Sequence, residues 1–274
     1  MIGAIAGDII GSIYEHDNIK TKEFPLFGPH PRTNLNHTRN GRPLRDCFFT
    51  DDTVLTIAVA DWMLGGEDNL VDRLIHYTFK YNNRGYGGMY MKWANSHNPQ
   101  PYDSYGNGSA MRVSPVGWLA KDMEQVLRLA KASAEVTHNH PEGIKGAQAT
   151  AMAIWLAREG AMGPQIRQAI TTFAEYDLSE SVDEIREWYS FDPSCQGTVP
   201  QAIVCALEAA NFEDAIRNAV SIGGDSDTVA AITGSIAEAM FGMPDEVVER
   251  VRSYLPDDMI GVLDRFAEYV EANA

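Results

Sequence analysis

The sequence predicts an all-α fold with a single domain spanning residues 1–274. Apolar residues recur at the 3.6-residue spacing of amphipathic helices through most of the chain. Short breaks rich in Gly, Pro, Asp and Asn separate these segments, and β-branched runs with strict alternation are almost absent. No shift in composition marks a linker, so we expect the helices to share one core.

The amino-acid composition limits which binding partners and which cellular compartments we expect for this protein. The chain has 45% hydrophobic residues and a net charge of −16, which suits a globular protein and disfavours nucleic acid and anionic membranes as partners. Cys47, Cys195 and Cys205 form neither a CxxC pair nor a zinc spacing, which predicts buried, reduced thiols. The apolar start lacks a basic region and carries Asp8, and no run reaches membrane-spanning length, so we expect a cytoplasmic protein.

The first helix is predicted over residues 2–15. Its glycines recur at helical spacing among aliphatic residues, which indicates close contact with another helix. Asp8 and Glu15 lie seven residues apart, on one face of such a helix. Asp8 would either pair with an arginine or a helix cap, or point at a metal centre. Residues 16–46 lack a period and predict a long loop, for which we hypothesise a mobile lid with Glu15 at its root.

An acidic cluster then begins the helix over residues 54–63. Thr50, Asp51 and Asp52 place a hydroxyl and two adjacent carboxylates at its N-terminus. Adjacent carboxylates repel each other, and a bound cation would remove that cost.

Two glycine-rich segments, 82–88 and 101–112, follow the helix over residues 69–81, and each leads into another helix. Such segments present backbone amides to an anion such as a diphosphate, although each is equally compatible with an ordinary turn or cap. Tyr86, Tyr102 and Tyr105 offer aromatic faces for a base, or simply pack.

Further helices are predicted to the end of the chain, over 90–96, 122–136, 142–158, 163–174, 179–189, 198–209, 211–220, 244–254 and 257–272. Between the second and third of these lies His138. It is either a hydrogen-bond donor to substrate or a structural histidine in a turn.

The second acidic cluster lies near the far end, before an apolar helix that runs to Met240. Gly223 and Gly224 permit a sharp turn, after which Asp225, Asp227 and Thr228 occupy the first helical turn. One interpretation is an Asp cap with a solvated neighbour. The other is that this cluster faces the first one and that together they supply six oxygen ligands, enough for a pair of Mg²⁺ or Mn²⁺ ions.

The order of these motifs resembles that of the ADP-ribosylglycohydrolase family over nearly the whole chain. The matching segments are Gly-Asp-Ile-Ile-Gly-Ser-Ile-Tyr-Glu (7–15), Thr-Asp-Asp-Thr (50–53), Arg-Gly-Tyr-Gly (84–87), Tyr-Gly-Asn-Gly-Ser-Ala-Met-Arg (105–112), Thr-His (137–138) and Gly-Gly-Asp-Ser-Asp-Thr (223–228). The resemblance implies a compact orthogonal helical domain with two Mg²⁺ or Mn²⁺ ions. It also implies cleavage of the N- or O-glycosidic bond at the distal ribose of ADP-ribose.

The resemblance also implies a role for each matching residue. It predicts metal ligation by Thr50, Asp51, Asp52, Asp225, Asp227 and Thr228. It predicts catalysis by Glu15, the family's flap glutamate, and by Asp52. It predicts substrate binding by Gly85, Gly87, Gly88, Ser104, Tyr105, Gly106, Asn107, Gly108 and His138.

The expected partners are ADP-ribose conjugates, including ADP-ribosylated proteins. The Arg-Gly-Tyr-Gly and Ser-Tyr-Gly-Asn-Gly segments look closer to the serine-linked and O-acetyl-ADP-ribose branch of the family than to the arginine-linked branch. Two alternatives remain open at this point. Paired acidic clusters also serve metal-dependent phosphohydrolases, and a non-catalytic ADP-ribose-binding relative would keep the pocket without turnover.

Overall fold

The computed structural model describes residues 1–15, 17–28, 38–39, 42–43 and 46–273, and it confirms the all-α prediction. The helices are α1 (Ile2–Gly11), α2 (Asp51–Leu64), α3 (Leu70–Lys80), α4 (Gly88–Ala94), α5 (Gly108–Met111), α6 (Ser114–Leu119), α7 (Met123–Glu135), α8 (Pro141–Arg158), α9 (Gly163–Ala174), α10 (Val182–Trp188), α11 (Cys195–Leu207), α12 (Phe212–Ser221), α13 (Ser226–Phe241), α14 (Asp245–Arg252) and α15 (Asp257–Ala272). Two short strands, β1 (Thr38–Arg39) and β2 (Arg42–Pro43), pair antiparallel. One hydrophobic core joins the described helices, and the extent of the domain over 1–274 stays a prediction.

The first helix is shorter than its sequence pattern predicts. It ends at Gly11, and residues 12–15 form turns. The hydroxyl of Ser12 donates to the carbonyl of Ile9, which illustrates how a serine side chain competes with the helical backbone. The predicted common helical face of Asp8 and Glu15 is therefore wrong, because Glu15 lies beyond the helix.

Two short helices, α5 and α6, were not predicted as separate elements. They follow the second glycine-rich segment, and Gly117 and Pro115 obscure any helical period there. By contrast, α8 begins at Pro141 as predicted, since proline suits the first turn of a helix and the Nδ1 atom of His140 accepts the amide of Glu142.

The central element of the fold is α13. Every residue from Ser226 to Ala237 is buried, because α1, α8, α11 and α12 all pack against this helix. A helix that is apolar on all sides must lie inside the molecule. The acidic first turn of α13 is consequently carried into the interior, although carboxylates are usually exposed.

Glycines bring α1 and α13 into backbone contact, which confirms the predicted reason for them. Side chains at Gly3, Gly7 and Gly11 would collide with the α13 backbone at Gly234, Ala230 and Ser226, respectively. The close approach fixes α1 beside the first turn of α13.

Residues 17–28 pack against the turn that precedes α13. The Asn18 side chain accepts the amide of Gly224 at 3.1 Å, and the Lys20 ammonium donates to the carbonyls of Tyr189 and Ile222. This part of the predicted lid is thus tied to the body of the protein. Much of the remainder of 16–46 lies outside the described residues, and the lid stays a prediction.

Two expectations drawn from the sequence concern the cysteines and membrane-spanning segments. Cys47, Cys195 and Cys205 are buried free thiols, as predicted, and burial raises the pKa of Cys47 and of Cys195 to about 12. Across the described ranges, no helix combines enough length and apolarity to cross a membrane.

We predict that Gly7→Ala lowers the free energy of unfolding by about 1–3 kcal/mol, because the added methyl group overpacks the α1–α13 contact. The matched control is Gly261→Ala in the interior of α15, where the methyl group meets no atom within 4 Å. That variant should gain up to about 1 kcal/mol from helix propensity. Urea denaturation measures both changes, and equal effects in the two variants would contradict the close-contact explanation.

Candidate active site

A single cavity of about 990 Å³ collects the residues that the sequence singles out. It opens where the first turns of α2 and α13 meet the glycine-rich segments before α4 and α5. The predicted residues that line it are Glu15, Thr50, Asp51, Asp52, Gly85, Gly87, Gly88, Ser104, Tyr105, Gly106, Asn107, Gly108, His138, Asp225, Asp227 and Thr228. Their individual roles stay predictions.

Carboxylates from three parts of the chain meet at the floor of this cavity or, in the case of Asp8, lie buried beneath it. Oxygens of Asp8, Asp52 and Asp227 lie within 4.8 Å of one another, and so do oxygens of Glu15, Asp225 and Asp227. Asp227 belongs to both groups. The two acidic helix starts therefore face each other, and one carboxylate lies between two candidate cation positions.

The first turn of α13 does not use its acidic side chains as an ordinary cap. Asp225 occupies the N-cap position without a side-chain cap bond, and Asp225 and Asp227 are only 7% and 5% exposed. The interpretation as an Asp cap with a solvated neighbour is thus wrong. Instead, the side-chain amide of Asn107 donates to Asp225 at 2.7 Å and to the Thr198 hydroxyl at 3.0 Å. Asn107 thereby orients a predicted metal ligand, a role that its place in the glycine-rich segment did not indicate.

The turn before α13 requires glycine at two successive positions. Gly223 and Gly224 have φ values of +77° and +73°, a region that L-residues with side chains rarely occupy. A side chain at Gly223 would collide with Asn18, and one at Gly224 would press on Tyr189. This tight turn directs the first turn of α13 toward the cavity.

Asp8 ties α1 to the first turn of α2. Its carboxylate accepts the amide and hydroxyl of Thr50 at 2.9 and 2.7 Å, and the amide of Thr53 at 3.1 Å. The hydroxyl of Thr53 donates to it as well. Asp8 thus caps α2 from a different helix, and it also belongs to one of the two carboxylate groups that could hold a cation. One carboxylate satisfies several donors that a helix start leaves unpaired.

The floor is electrostatically costly in the absence of a cation. Burial, and then the carboxylates of Asp227 and Asp8, raise the pKa of Asp52 well above its usual range. Burial, then Asp225, does the same to the pKa of Asp227, and burial raises the pKa of Asp225 to about 6. Like charges at short range cannot all ionise at neutral pH without compensation.

The donor set fits a hard divalent cation. The Oδ1 atom of Asp52 is buried and has no hydrogen-bond partner among the residues that the structure describes. An orphaned carboxylate oxygen beside two further carboxylates is suited to coordinate a metal ion, since buried polar atoms otherwise find partners. Carboxylate and hydroxyl oxygens without nitrogen or sulfur suit Mg²⁺ or Mn²⁺ better than softer metals.

The glycine-rich wall next to α4 exposes its backbone to the cavity. Side chains added at Gly87 and Gly88 would meet no atom within 4 Å, so the main chain is open there. Arg84 anchors this wall, because its carbonyl accepts the amide of Asp51 at 2.9 Å and its guanidinium lies 3.6 Å from the centre of the Phe49 ring. The wall and the acidic floor are thereby fixed to each other.

The tyrosines of the glycine-rich segments divide between packing and exposure. Tyr86 stacks on Tyr90 and does not line the cavity, so the packing alternative applies to it. Tyr102 contacts His138 and also lines the cavity, so both alternatives stay open for this ring. Tyr105 is 52% exposed at the cavity and touches the edge of the His140 ring. It offers the cavity an aromatic face.

Sequence reasoning missed one wall of the cavity, residues 191–196. This loop pairs with the second glycine-rich segment: the amide of Asn107 donates to Pro193, and the amide of Cys195 donates to Tyr105, both at 2.8 Å. Phe191, the first residue of this loop, is 52% exposed. An apolar residue in a polar loop was the only local signal, and it does not by itself indicate a site.

The family match places the protein in the class of ADP-ribosylglycohydrolases. The model of the ADP-ribosylglycohydrolase family matches residues 1–274, and the chain belongs to that family.

Characterised relatives span most of the chain. The chain is 27% identical to the human ADP-ribosylhydrolase ARH3, over 91% of this chain and 86% of that protein. It is also 27% identical to the ADP-ribosylarginine hydrolase Tri1 of Pseudomonas putida, over 92% of this chain and 72% of that protein. A solved structure described as an ADP-ribosylglycohydrolase-related protein complex shares the fold, with a TM-score of 0.71 at 23% identity over 98% of this chain and 95% of that one.

We predict that Asp8→Asn destabilises the protein by roughly 1–3 kcal/mol, because an amide cannot accept every bond from Thr50 and Thr53 and leaves buried donors unpaired. The control is Asp122→Asn, at the exposed N-cap of α7, where Asn and Asp cap equally well. Urea denaturation without added metal compares the two. Equal stability of both variants and the wild type would contradict the capping role of Asp8.

We predict that Mg²⁺ or Mn²⁺ binding releases protons and weakens as the pH falls below about 6. The raised pKa values of Asp52, Asp225 and Asp227 mean that protons compete with the cation for the same oxygens. Titration calorimetry in two buffers of different ionisation enthalpy counts the released protons. Equal affinity at pH 5.5 and 7.5, with no proton release, would contradict the cation site.

Proposed function

We propose that this enzyme hydrolyses the N- or O-glycosidic bond of ADP-ribose conjugates at a centre of two Mg²⁺ or Mn²⁺ ions. One observation carries the proposal. Oxygens of Asp52, at the start of α2, and of Asp225, at the start of α13, each lie within 4.8 Å of an oxygen of Asp227, at the floor of a cavity with glycine-rich walls. The proposed ligands are Thr50, Asp51, Asp52, Asp225, Asp227 and Thr228.

The shape of the cavity supports a definite placement of ADP-ribose. The open backbone at Gly87 and Gly88, together with the segment 104–108, suits the diphosphate, because amides contact phosphate oxygens without adding negative charge. The distal ribose then lies over the acidic floor. The exposed ring of Tyr105 lies where a base can stack.

Glu15 is the residue proposed to move the proton. It lines the cavity, and one of its oxygens lies within 4.8 Å of oxygens of Asp225 and Asp227. Cleavage of a glycosidic bond needs a group that protonates the leaving atom or deprotonates the attacking water. Divalent ions, when bound, supply Lewis acidity that polarises sugar oxygens and makes water more acidic. Asp52 and Asp227 would hold these ions at the floor of the cavity.

We also propose which linkage the enzyme cuts. Two relatives at equal identity are named an ADP-ribosylhydrolase and an ADP-ribosylarginine hydrolase, and these names do not select one linkage. The segments 84–87 and 104–108 favour serine-linked or O-acetyl-linked ADP-ribose. ADP-ribosylated proteins are then the proposed partners, and the buried free thiols support a reducing, cytoplasmic location.

A substrate panel tests the proposed function. Serine-linked and arginine-linked ADP-ribosyl peptides and O-acetyl-ADP-ribose are incubated with the protein and Mg²⁺ or Mn²⁺, with and without EDTA. We expect free ADP-ribose from the serine-linked or O-acetyl substrate, and none in EDTA. Release of AMP and a ribose 5-phosphate product instead would identify a phosphohydrolase that cuts the diphosphate. Binding of ADP-ribose without turnover of any substrate would identify a non-catalytic relative.

We predict that Glu15→Gln keeps ADP-ribose binding but lowers kcat by roughly two to four orders of magnitude, as expected for removal of a general acid or base. Calorimetry with ADP-ribose and an initial-rate assay measure the two effects. The control is Glu124→Gln, the same change on an exposed residue of α7, which should leave both unchanged. Wild-type kcat in Glu15→Gln would remove Glu15 from the chemistry.

A further inference from the structure

Glu15 lies in a turn whose first part is anchored in the core. The amide of Asp17 donates to the carbonyl of Tyr14 at 3.0 Å, which closes the turn around Glu15. Tyr14 is completely buried, its hydroxyl donates to the carbonyl of Pro25 at 3.0 Å, and its ring packs on Phe24. A general acid or base depends on such anchoring, because a displacement of about 1 Å lowers a rate by as much as about 100-fold.

Asn18 anchors the chain on the other side of Glu15. Its side-chain oxygen accepts the amide of Gly224 at 3.1 Å, and Gly224 directly precedes the predicted metal ligand Asp225. Asn18 has a φ of +46°, in the left-handed region that asparagine tolerates better than most residues. Gly223 leaves room for this approach, since a side chain there would collide with that of Asn18. One hydrogen bond thus connects the segment of Glu15 to the acidic turn before α13.

Lys20 joins the same segment to the ends of two helices. Its ammonium donates to the carbonyl of Tyr189 at 2.6 Å and to that of Ile222 at 2.5 Å. Tyr189 and Ile222 are the C-cap residues of α10 and α12. The last carbonyls of a helix lack partners within it and carry partial negative charge, so one ammonium stabilises both ends. Because α10 leads into the wall at 191–196 and α12 into the acidic turn, Lys20 connects both to the segment of Glu15.

We propose that Asn18 and Lys20 are positioning residues that hold Glu15 within reach of the acidic floor. Neither side chain lines the cavity, so each acts on the chemistry only through the backbone that carries Glu15. An oxygen of Glu15 lies within 4.8 Å of oxygens of Asp225 and Asp227. The inference rests on the proposed function, in which Glu15 moves the proton. Residues 17–20 are then a fixed brace and not a moving part of the predicted lid.

Lys20→Met and Asn18→Gly each remove one side of the brace and keep Glu15, and glycine also keeps the positive φ at position 18. With Mg²⁺ and the substrate that the wild type turns over best, kcat should fall about 10–100-fold in Lys20→Met and about 3–10-fold in Asn18→Gly. The Kd for ADP-ribose should stay at the wild-type value in both. Lys20→Arg keeps a cationic donor and should retain most of kcat. Unchanged kcat in both Lys20→Met and Asn18→Gly, or a raised Kd alone, would overturn the proposal.

A double-mutant cycle with Glu15→Gln separates positioning from general damage. In the Glu15→Gln background no carboxylate is left to position, so Lys20→Met should lower kcat by less than about twofold. Single-turnover assays at high enzyme concentration measure the slow variants. If Lys20→Met lowers kcat by the same factor in both backgrounds, Lys20 does not act through Glu15 and the proposal fails.

Arg158→Met is the matched control for Lys20→Met. Arg158 of α8 donates to the carbonyls of Trp118 and Ala120 at the end of α6, so this change also takes a cation away from helix C-terminal carbonyls. None of these three residues lines the cavity. Urea denaturation compares the stability that the two variants lose, and Arg158→Met should keep the wild-type kcat. An equal fall in kcat would mean that activity follows stability, against the proposal.

Amide hydrogen exchange in the metal-free, ligand-free protein tests the brace without reference to activity. The amides of Asp17 and Gly224 should exchange slowly in the wild type and at least about tenfold faster in Lys20→Met and Asn18→Gly, because these changes open the segment locally. Fast exchange in the wild type, or no change in either variant, overturns the proposal. If the wild type releases ADP-ribose from none of the substrates, the proposed function fails, and these exchange rates still decide whether the brace exists.

Discussion

The mutual repulsion of buried carboxylates at the meeting of α2 and α13 is the constraint on which this structure depends. Asp52, Asp225 and Asp227 are at most 7% exposed, and burial and proximity raise the pKa of each. Helix N-termini favour negative charge, but that effect is worth about 2 kcal/mol at most. A packed interior that keeps these groups together is therefore built for a cationic partner, and the family assignment is consistent with that chemistry.

The fold supplies the rigidity that such a site needs. Gly7 brings α1 into contact with the backbone of α13, and the adjacent Asp8 accepts hydrogen bonds from the first turn of α2. Consecutive residues of one helix thus fix the two acidic helix starts relative to each other. Asn107 adds a third connection, because it orients Asp225 from the wall of the cavity. The glycine-rich and acidic parts of the site are consequently positioned by the same contacts.

Local sequence patterns predicted most of the helices and identified the acidic and glycine-rich residues that line the cavity. Helical periodicity and the two acidic helix starts are short-range signals, so they are visible in sequence. The hydrogen bond between Asn107 and Asp225 and the wall at 191–196 depend on contacts between distant segments. The turn at residues 12–15 instead accompanies a local hydrogen bond of Ser12, which the apolar periodicity does not reveal. Lys20 belongs with the distant contacts, because nothing around it in sequence indicates that it joins two helix ends.

The central claim is that the first turns of α2 and α13 bind two divalent ions and that Asp227 is a ligand to both. Anomalous diffraction from crystals grown with Mn²⁺ tests it most directly, because it locates manganese without reference to activity. The account predicts two anomalous peaks about 3.5–4 Å apart, one on each side of the Asp227 carboxylate, as in other two-metal sites. Peaks elsewhere, or no peak beside Asp52 and Asp227, would contradict it.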